Sequence, residues 1–350
     1  MQTLIHIGTL IAEYLADHWS CTCSLEHIEQ IPGGASRETY LVQLKREGQP
    51  LGVVVRRDPP SSLIDTERAH EYNTYAAIYR DGVVPVPEPI VLEESPQALE
   101  GKLERPFSVM TLISEGQASP AGLDDESMQP VLTTLGQNKW SLLGKLAAKT
   151  PQALGVDQFM EIPEHPAARE LAYWRNVINT DALHPQPIAQ AALRWLDKNL
   201  PPPSNHLTLV HGDYRTGNYL YTPQGAITAV LDWEMAHIGD PLEDLAWSLD
   251  PLWSTDMHKA GRLLPREKAL QIWQDASGLS VDREVFKWWQ VFASIKAIAI
   301  WISSAEDYVN GTTKEPILAM AGWPMIDRQN RILLDRIAPE SKFDYAEALI

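Results

Sequence analysis

The sequence predicts an α+β protein of two lobes, a β-rich amino-terminal one and a larger, mainly helical carboxy-terminal one. Three observations carry this. From Ile28 to Arg57 the residues alternate like paired strands, and one helical pattern and one short apolar run complete that part. Beyond residue 114 the periodicity is helical for most of the chain, with ten of the 12 tryptophans lying past residue 150 and available to pack those helices. The exception is 207–231, which reads as strand, loop, strand, turn, strand.

In the first lobe a strand ends at Ile31, Gly33-Gly34-Ala35-Ser36 makes a turn, Thr39–Leu44 returns, and Leu51–Arg57 follows a polar turn. Pro59-Pro60 ends this sheet segment, since proline has no ladder donor. Asp65 is placed to cap a helix running to about Tyr79, in which Ala69, Tyr72, Ala76 and Tyr79 share a face and Asp81-Gly82 closes the element. Glu67 and Glu71 then lie one turn apart. Val83–Leu92 is punctuated by prolines, and Phe107–Ile113 is a strand leading into a hinge at Ser114-Glu115-Gly116. The lobes are therefore expected at 1–113 and 114–350, and a cleft between such lobes is a usual place for a ligand.

Composition narrows the function. A chain of 350 residues with 44% hydrophobic content can bury a sizeable core. Its net charge of −17 and pI near 5.0 argue against nucleic acid or an acidic membrane as partner. The acidity is spread over both lobes, which fits solubility better than a cationic partner. Cys21 and Cys23 are too close for an ordinary disulfide and make half a thiolate zinc site at best, so a reducing compartment, the cytoplasm, is expected. Residues 1–20 carry an apolar stripe broken by Glu13, Asp17 and His18, unlike a signal-peptide core. Val285–Ile302 is apolar but places Lys287, Gln290, Ser294 and Lys296 at helical spacing, as in a buried helix of a soluble protein. Oligomeric state is not legible.

The chemistry concentrates in 209–247, LVHGDYRTGNYLYTPQGAITAVLDWEMAHIGDPLEDLAW, where polar residues sit at the ends of apolar strands. Asn218 precedes the strand Tyr219–Tyr221, Thr222-Pro223-Gln224-Gly225 turns, and Asp232 follows the strand Ile227–Leu231. An antiparallel hairpin brings Asn218 and Asp232 out together at its open end, where opposed Cβ atoms lie about 5 Å apart. An amide oxygen and a carboxylate there suit one hard cation. Asp213 lies five residues earlier on a loop in which Gly212 and Gly217 permit tight turns. A carboxylate beside a metal-bound polyphosphate, itself not a ligand, suits a base that takes the proton of an attacking hydroxyl. In the first lobe, Gly33-Gly34 offers a turn over phosphates, Arg56 a cation on a central strand, and Glu71 a carboxylate to orient it.

HGDYRTGN followed by VLDWE and GDPLEDLAW resembles the signature of the aminoglycoside phosphotransferase superfamily, which has the two-lobed protein-kinase-like fold. GGASRETYLV, VVVRRDPP, HEYNTYAAI and FSVMTLISEG match in order, and the likeness, over roughly 28–310, is greatest to the kinase-like domain linked to acyl-CoA dehydrogenases in animals. The resemblance implies that Asp213 is the catalytic base, that Asn218 and Asp232 bind Mg2+, and that Arg56 with Glu71 is the phosphate-binding ion pair. It implies an adenine-binding hinge at Met110–Ser114, including Met110 and Leu112, and Asp244 holding the catalytic loop from behind. The co-substrates implied are ATP or GTP and a small-molecule hydroxyl acceptor, a hydroxyacyl compound or an aminoglycoside-like molecule. Two departures stand out. Arg56 occupies the usual lysine position, exchanging a point charge for a planar fork, and Leu146-Ala147-Ala148-Lys149 lacks the histidine that often ends that helix.

Some neighbours have plainer readings. His211 is expected to fix its loop by hydrogen bonding, Asp240 to cap the helix that Pro241 starts, and the tryptophans of 287–301 to pack. Two other functions compete. A metal-dependent phosphohydrolase would draw two-metal ligands from His211, Asp213, Asp232, His237 and Asp240; a non-catalytic nucleotide-binding module would keep only the fold.

Overall fold

The computed structural model describes residues 4–31, 38–57, 68–94, 103, 105–124, 126–254, 259–313 and 315–338. The chain divides into two compact units, Met1–Gly116 and Gln117–Ile350.

The first unit opens with α1 (Leu4–Trp19), followed by β1 (Cys23–Ile31), β2 (Glu38–Arg46), β3 (Gln49–Arg57), α2 (Arg68–Asp81), β4 (Pro89–Glu93) and β5 (Phe107–Thr111). The strands form one antiparallel sheet in the order β1-β2-β3-β5-β4. Alternation decides what each face carries. Tyr40, Val42 and Leu44 pair with Val55, Val53 and Leu51, Val55 pairs with Val109, and the β-branched members are fully buried. The amino-terminal apolar stripe is the inner face of α1, whose Ile7, Leu10, Ile11 and Leu15 join this core.

The same period of two turns Arg56 to the opposite face from Val55. Its register partners are Thr39 on one side and Ser108 on the other. Three strands extend beyond their expected limits: β1 begins at Cys23, β2 runs Glu38–Arg46, and β3 begins at Gln49. The proline-punctuated stretch yields the edge strand β4, which starts on Pro89, a position where a missing N–H does little harm. The Gly33-Gly34 turn, the Asp65 cap and Glu67 lie outside the described residues.

The second unit is helical: α3 (Leu132–Ala147), α4 (Pro151–Leu154), α5 (Pro166–Asp181), α6 (Pro187–Lys198), α7 (Pro241–Ser248), α8 (Arg266–Ser277), α9 (Arg283–Val309), α10 (Pro316–Met320) and α11 (Ile326–Ile337). Its short strands pair as β6 (Thr208–Val210) with β9 (His237–Gly239), β7 (Tyr219–Tyr221) with β8 (Ile227–Val230), and β10 (Lys259–Ala260) with β11 (Leu264–Pro265). By length and composition α9 is apolar enough to cross a membrane, yet 78% of its apolar stretch is buried inside the unit. Helices α5, α6, α7 and α11 pack around it. Trp288, Trp289 and Phe292 interlock on α9 with ring centroids 5.0–5.6 Å apart, and the Trp288 indole donates to the Leu196 carbonyl. These rings therefore pack, as expected.

The end of α3 replaces the histidine it lacks with partners from elsewhere. His206 Nε2 donates to the Ala147 carbonyl at 2.7 Å, and Thr208 Oγ1 donates to the Leu146 carbonyl at 2.9 Å. Both carbonyls belong to the last helical turn, where intrahelical donors run out.

Candidate active site

Strand β6 delivers the chain into His211-Gly212-Asp213, and the pairing of β6 with β9 brings α7 directly behind that loop. Asp240 Oδ1 caps α7 by accepting the Leu242 N–H at 2.8 Å. One turn further, Asp244 accepts the backbone N–H of His211 at 2.6 Å and of Gly212 at 3.0 Å. The loop is thus held by its main chain from behind. Gly212 is required where it stands: its φ is +86°, and a Cβ there would lie 2.6 Å from the Met235 carbonyl oxygen.

His211 fixes the loop from within, as expected. Its Nδ1 accepts the Asp213 N–H at 3.1 Å and its Nε2–H donates to the Leu231 carbonyl at 2.9 Å. Burial pushes this imidazole below its ordinary pKa, with Asp244 and Asp213 pulling the other way, and both ring nitrogens are used in the neutral tautomer. No nitrogen remains for a metal.

The Asp213 carboxylate is surrounded by N–H donors. Trp247 Nε1 lies 2.8 Å from Oδ1, Asn218 Nδ2 lies 2.7 Å from Oδ2, and Arg215 Nε lies 3.0 and 3.1 Å from the two oxygens. Asn218 Nδ2 also donates to the Asp213 carbonyl at 2.9 Å. Because the Asn218 amide nitrogen is committed to Asp213, its amide oxygen is the atom left to a cation.

The hairpin register differs by one residue from the expected one. Tyr219 faces Val230 and the Leu231 N–H donates to the Asn218 carbonyl at 2.8 Å, so Leu231 is the residue opposite Asn218. Asp232 comes one step later, in the left-handed backbone region at φ +67°. Asparagine oxygen and aspartate carboxylate are hard donors suited to Mg2+, and the left-handed turn ends the extended strand before the carboxylate.

In the first unit Arg56 Nη1 is hydrogen-bonded to Glu71 Oε1. The arginine side chain is 15% exposed and the glutamate 4%, so an orienting carboxylate lies beneath a cation that keeps some access to solvent. Met110 sits on β5 opposite Val54, and the Leu112 N–H is taken by the Gly52 carbonyl at 2.9 Å. Gly33 and Gly34 lie outside the described residues.

Several groups escaped the sequence reading. Arg215 was in view within the HGDYRTGN stretch, but nothing in spacing shows that its guanidinium turns back onto Asp213 and stacks on Trp253 at 4.9 Å. Trp247 lies 34 residues beyond Asp213. Lys139 on α3 is fully buried, its Nζ has no hydrogen-bond partner, and it lies over the rings of Trp140 and Tyr219. Burial, with the nearby Arg215 charge, lowers its pKa to about 7.

A buried ionic cluster lies on the other side of α7. Lys296 Nζ on α9 is 2.9 Å from Glu243 Oε1, and His237 Nε2 is 3.1 Å from Glu243 Oε2 and 3.6 Å from Glu170 Oε1. Glu170, His237 and Glu243 are close enough to hold a metal ion. The Lys296 ammonium already supplies a cation, however, and the two carboxylates are paired with Lys296, His237 and Arg169. With His211 bonded through both nitrogens, Asp240 capping a helix and His237 in this cluster, three of the five ligands that a two-metal hydrolase needs are engaged elsewhere.

An antiparallel five-stranded sheet with one helix after its third strand, then a helical unit carrying a loop and metal-suited hairpin, is the kinase-like fold of small-molecule phosphotransferases. Residues 27–281 match the phosphotransferase enzyme family, and the chain belongs to it. It is 27% identical over 239 residues to acyl-CoA dehydrogenase family member 11 of Gallus gallus, covering 67% of this chain and 29% of that protein. It is 28% identical over 226 residues to family member 10 of Mus musculus, covering 63% of this chain and 20% of that protein. The chain thus spans less than a third of these relatives. Among solved structures, a Ralstonia eutropha protein provisionally assigned as an aminoglycoside phosphotransferase superposes with a TM-score of 0.74 at 19% identity, covering 93% of this chain and 97% of that one. The GDP complex of aminoglycoside 2'-phosphotransferase-IIIa gives a TM-score of 0.62 at 14% identity, covering 95% and 99%. Spectinomycin phosphotransferase in complex with ADP and spectinomycin gives 0.58 at 13%, covering 93% and 97%.

Proposed function

We propose that this phosphotransferase is a small-molecule kinase that moves the γ-phosphoryl of ATP or GTP onto an acceptor hydroxyl, with Asp213 as its base. The observation that carries the reading is the Asp213 carboxylate, oriented by three N–H donors on a loop pinned by Asp244 and His211. Asn218, through its amide oxygen, and Asp232 are the residues that would hold Mg2+. That ion, when bound, neutralises phosphate charge. The acceptor oxygen forms its bond to the γ-phosphorus while the bond to the β–γ bridging oxygen breaks and the nucleoside diphosphate leaves. The hydroxyl proton passes to Asp213 and on to solvent. Arg56, oriented by Glu71, binds nucleotide phosphate. Gly33 and Gly34 are assigned to phosphate binding on sequence alone, and Met110 and Leu112 belong to the segment that takes the base.

Likeness to the acyl-CoA dehydrogenase family members supports a hydroxyacyl acceptor, and likeness to the aminoglycoside and spectinomycin enzymes supports an aminoglycoside-like one. A panel of both classes, scored by acceptor-stimulated ADP release, decides between them. Rapid acceptor-independent phosphate release from simple phosphate esters would instead identify a hydrolase. Asp213→Asn is expected to abolish transfer while leaving magnesium-nucleotide affinity within several-fold. Turnover above about a tenth of the original rate would remove Asp213 as the base. Asp232→Ala is expected to weaken magnesium-nucleotide binding itself, and unchanged binding by calorimetry would remove its metal role.

A further inference from the structure

We propose that Trp247 is a positioning residue for Asp213, holding the base in line for the acceptor through its indole N–H; this rests on the reading of Asp213 given above. Helix α7 grips the loop at two points on one face, since residues three apart on a helix are neighbours. Asp244 takes the backbone N–H groups of His211 and Gly212, and Trp247 takes the Asp213 side chain. The helix is anchored in turn, because Glu243 pairs with Lys296 of α9.

The Trp247 ring has little freedom. It is 2% exposed, meets Trp253 edge-on at 5.1 Å, and has the Lys296 ammonium 5.3 Å from its ring. Its partner is also a charged group, unlike those of several other indoles. The indoles of Trp140, Trp233 and Trp288 donate to a serine hydroxyl or a backbone carbonyl, and those of Trp174, Trp253 and Trp273 are buried without a partner. The Trp247 indole instead donates to the Asp213 carboxylate.

The donor count shows what this achieves. An ionised carboxylate offers about four acceptor positions. Trp247 fills one on Oδ1, Asn218 fills one on Oδ2, and Arg215 Nε spans both oxygens. Trp247 is buried, and Asn218 is fixed by the hairpin ladder and by its second bond to the Asp213 carbonyl. Arg215, with its side chain 30% exposed, is the most solvent-accessible donor of the three. When the acceptor hydroxyl arrives, Arg215 gives up its place, and the other two keep the carboxylate from turning.

The test uses the full chain with tryptophan labelled by 15N, magnesium-ATP, and water as the acceptor, since water needs the same base. Trp247→Phe keeps the buried ring and removes the N–H, so it deletes one indole resonance; Asp213→Asn is expected to shift that resonance more than any other. Trp247→Phe is expected to lower kcat for ADP release at least about tenfold, part of the roughly 10²–10⁴ that a positioned base supplies, with KM for ATP within about twofold. In an Asp213→Asn background the same substitution is expected to lower whatever residual rate persists by less than about twofold, because no base remains to be positioned. Equal losses in both backgrounds would show a general structural role and overturn the proposal. So would an indole resonance that Asp213→Asn leaves in place, a result that stands even if Trp247→Phe fails to fold. No turnover in the unsubstituted chain with any acceptor would remove the base assignment itself. A shifted resonance with full turnover in Trp247→Phe overturns the positioning role alone.

Discussion

At the residue scale, the loop and hairpin hold two backbone conformations that side chains resist. Gly212 combines a positive φ with a Met235 carbonyl 2.6 Å from where a Cβ would stand. Gly212→Ala is therefore expected to destabilise the chain by about 2–4 kcal/mol in urea unfolding, from left-handed strain plus a backbone clash. Gly217→Ala, whose Cβ would meet only the movable end of the Arg215 side chain, is expected to cost less. Asp232 keeps a side chain at φ +67°. Replacing it by glycine or alanine removes the same carboxylate, but only glycine relieves the backbone, so Asp232→Gly is expected to be about 1 kcal/mol more stable than Asp232→Ala. Both variants are expected to lose magnesium-nucleotide binding, which would show that strain is retained at this position for the carboxylate. The pairing of Asp213 with Asn218 was legible because one short stretch carries both. The one-residue offset between Asn218 and Asp232 was not, because it depends on ladder register and a left-handed residue.

At the scale of elements, two buried groups in the second unit oppose each other in their response to pH. Burial alone would push the His237 imidazole down, but the carboxylates of Glu170 and Glu243 outweigh it and hold it up at about 9. Glu243, pushed up by burial, is pulled down to about 2 by Lys296 and His237. His237 has a raised folded pKa, so its contribution is full below its ordinary 6.5 and is lost as pH rises through about 9. Glu243 has a lowered one, so its contribution is full above 4.5 and is lost as pH falls toward about 2. Lys139 runs the other way: its penalty is full below about 7 and disappears as pH approaches 10.5. Between pH 7 and 9 the two groups on the basic side are expected to offset each other. Lys139→Met is expected to stabilise the chain at pH 6 by about 1–4 kcal/mol and to uncover a fall in stability toward pH 9. His237→Gln is expected to cost about 2–3 kcal/mol at pH 6 and little at pH 10. Chemical unfolding across this range reads both, and a chelator is expected to leave the unliganded midpoint unchanged because Lys296 fills the cation position among the carboxylates. The helical character of the second unit, the helix after β3 and most strands were legible from periodicity. β9 was not, since three residues carry too little alternation, and neither was the meeting of α5, α7, α9 and β9 in one ionic cluster. Periodicity tells which face is buried, and does not tell what that face meets.

At the scale of the whole molecule, composition and architecture lead to one further expectation. The sheet-then-helices order followed from where period two gives way to period 3.6, a property of the whole chain that survives errors at single boundaries. The net charge of −17 gives no general attraction for an anionic nucleotide, so on the proposed function binding comes from local groups such as Arg56 and from Mg2+ that Asn218 and Asp232 would hold. Stabilisation by nucleotide should then require magnesium and Asp232 together. With magnesium-ATP at about a hundred times its Kd, linkage stabilises the folded chain by about 2.7 kcal/mol, a rise of a few degrees in Tm. The same ATP without magnesium, or with Asp232→Ala, is expected to give little rise, and a polyanion such as heparin none. GTP in place of ATP reports which base the chain prefers by the relative size of the shift. A full rise with ATP in the presence of a chelator would place the affinity in the cations alone and remove Asn218 and Asp232 from nucleotide binding.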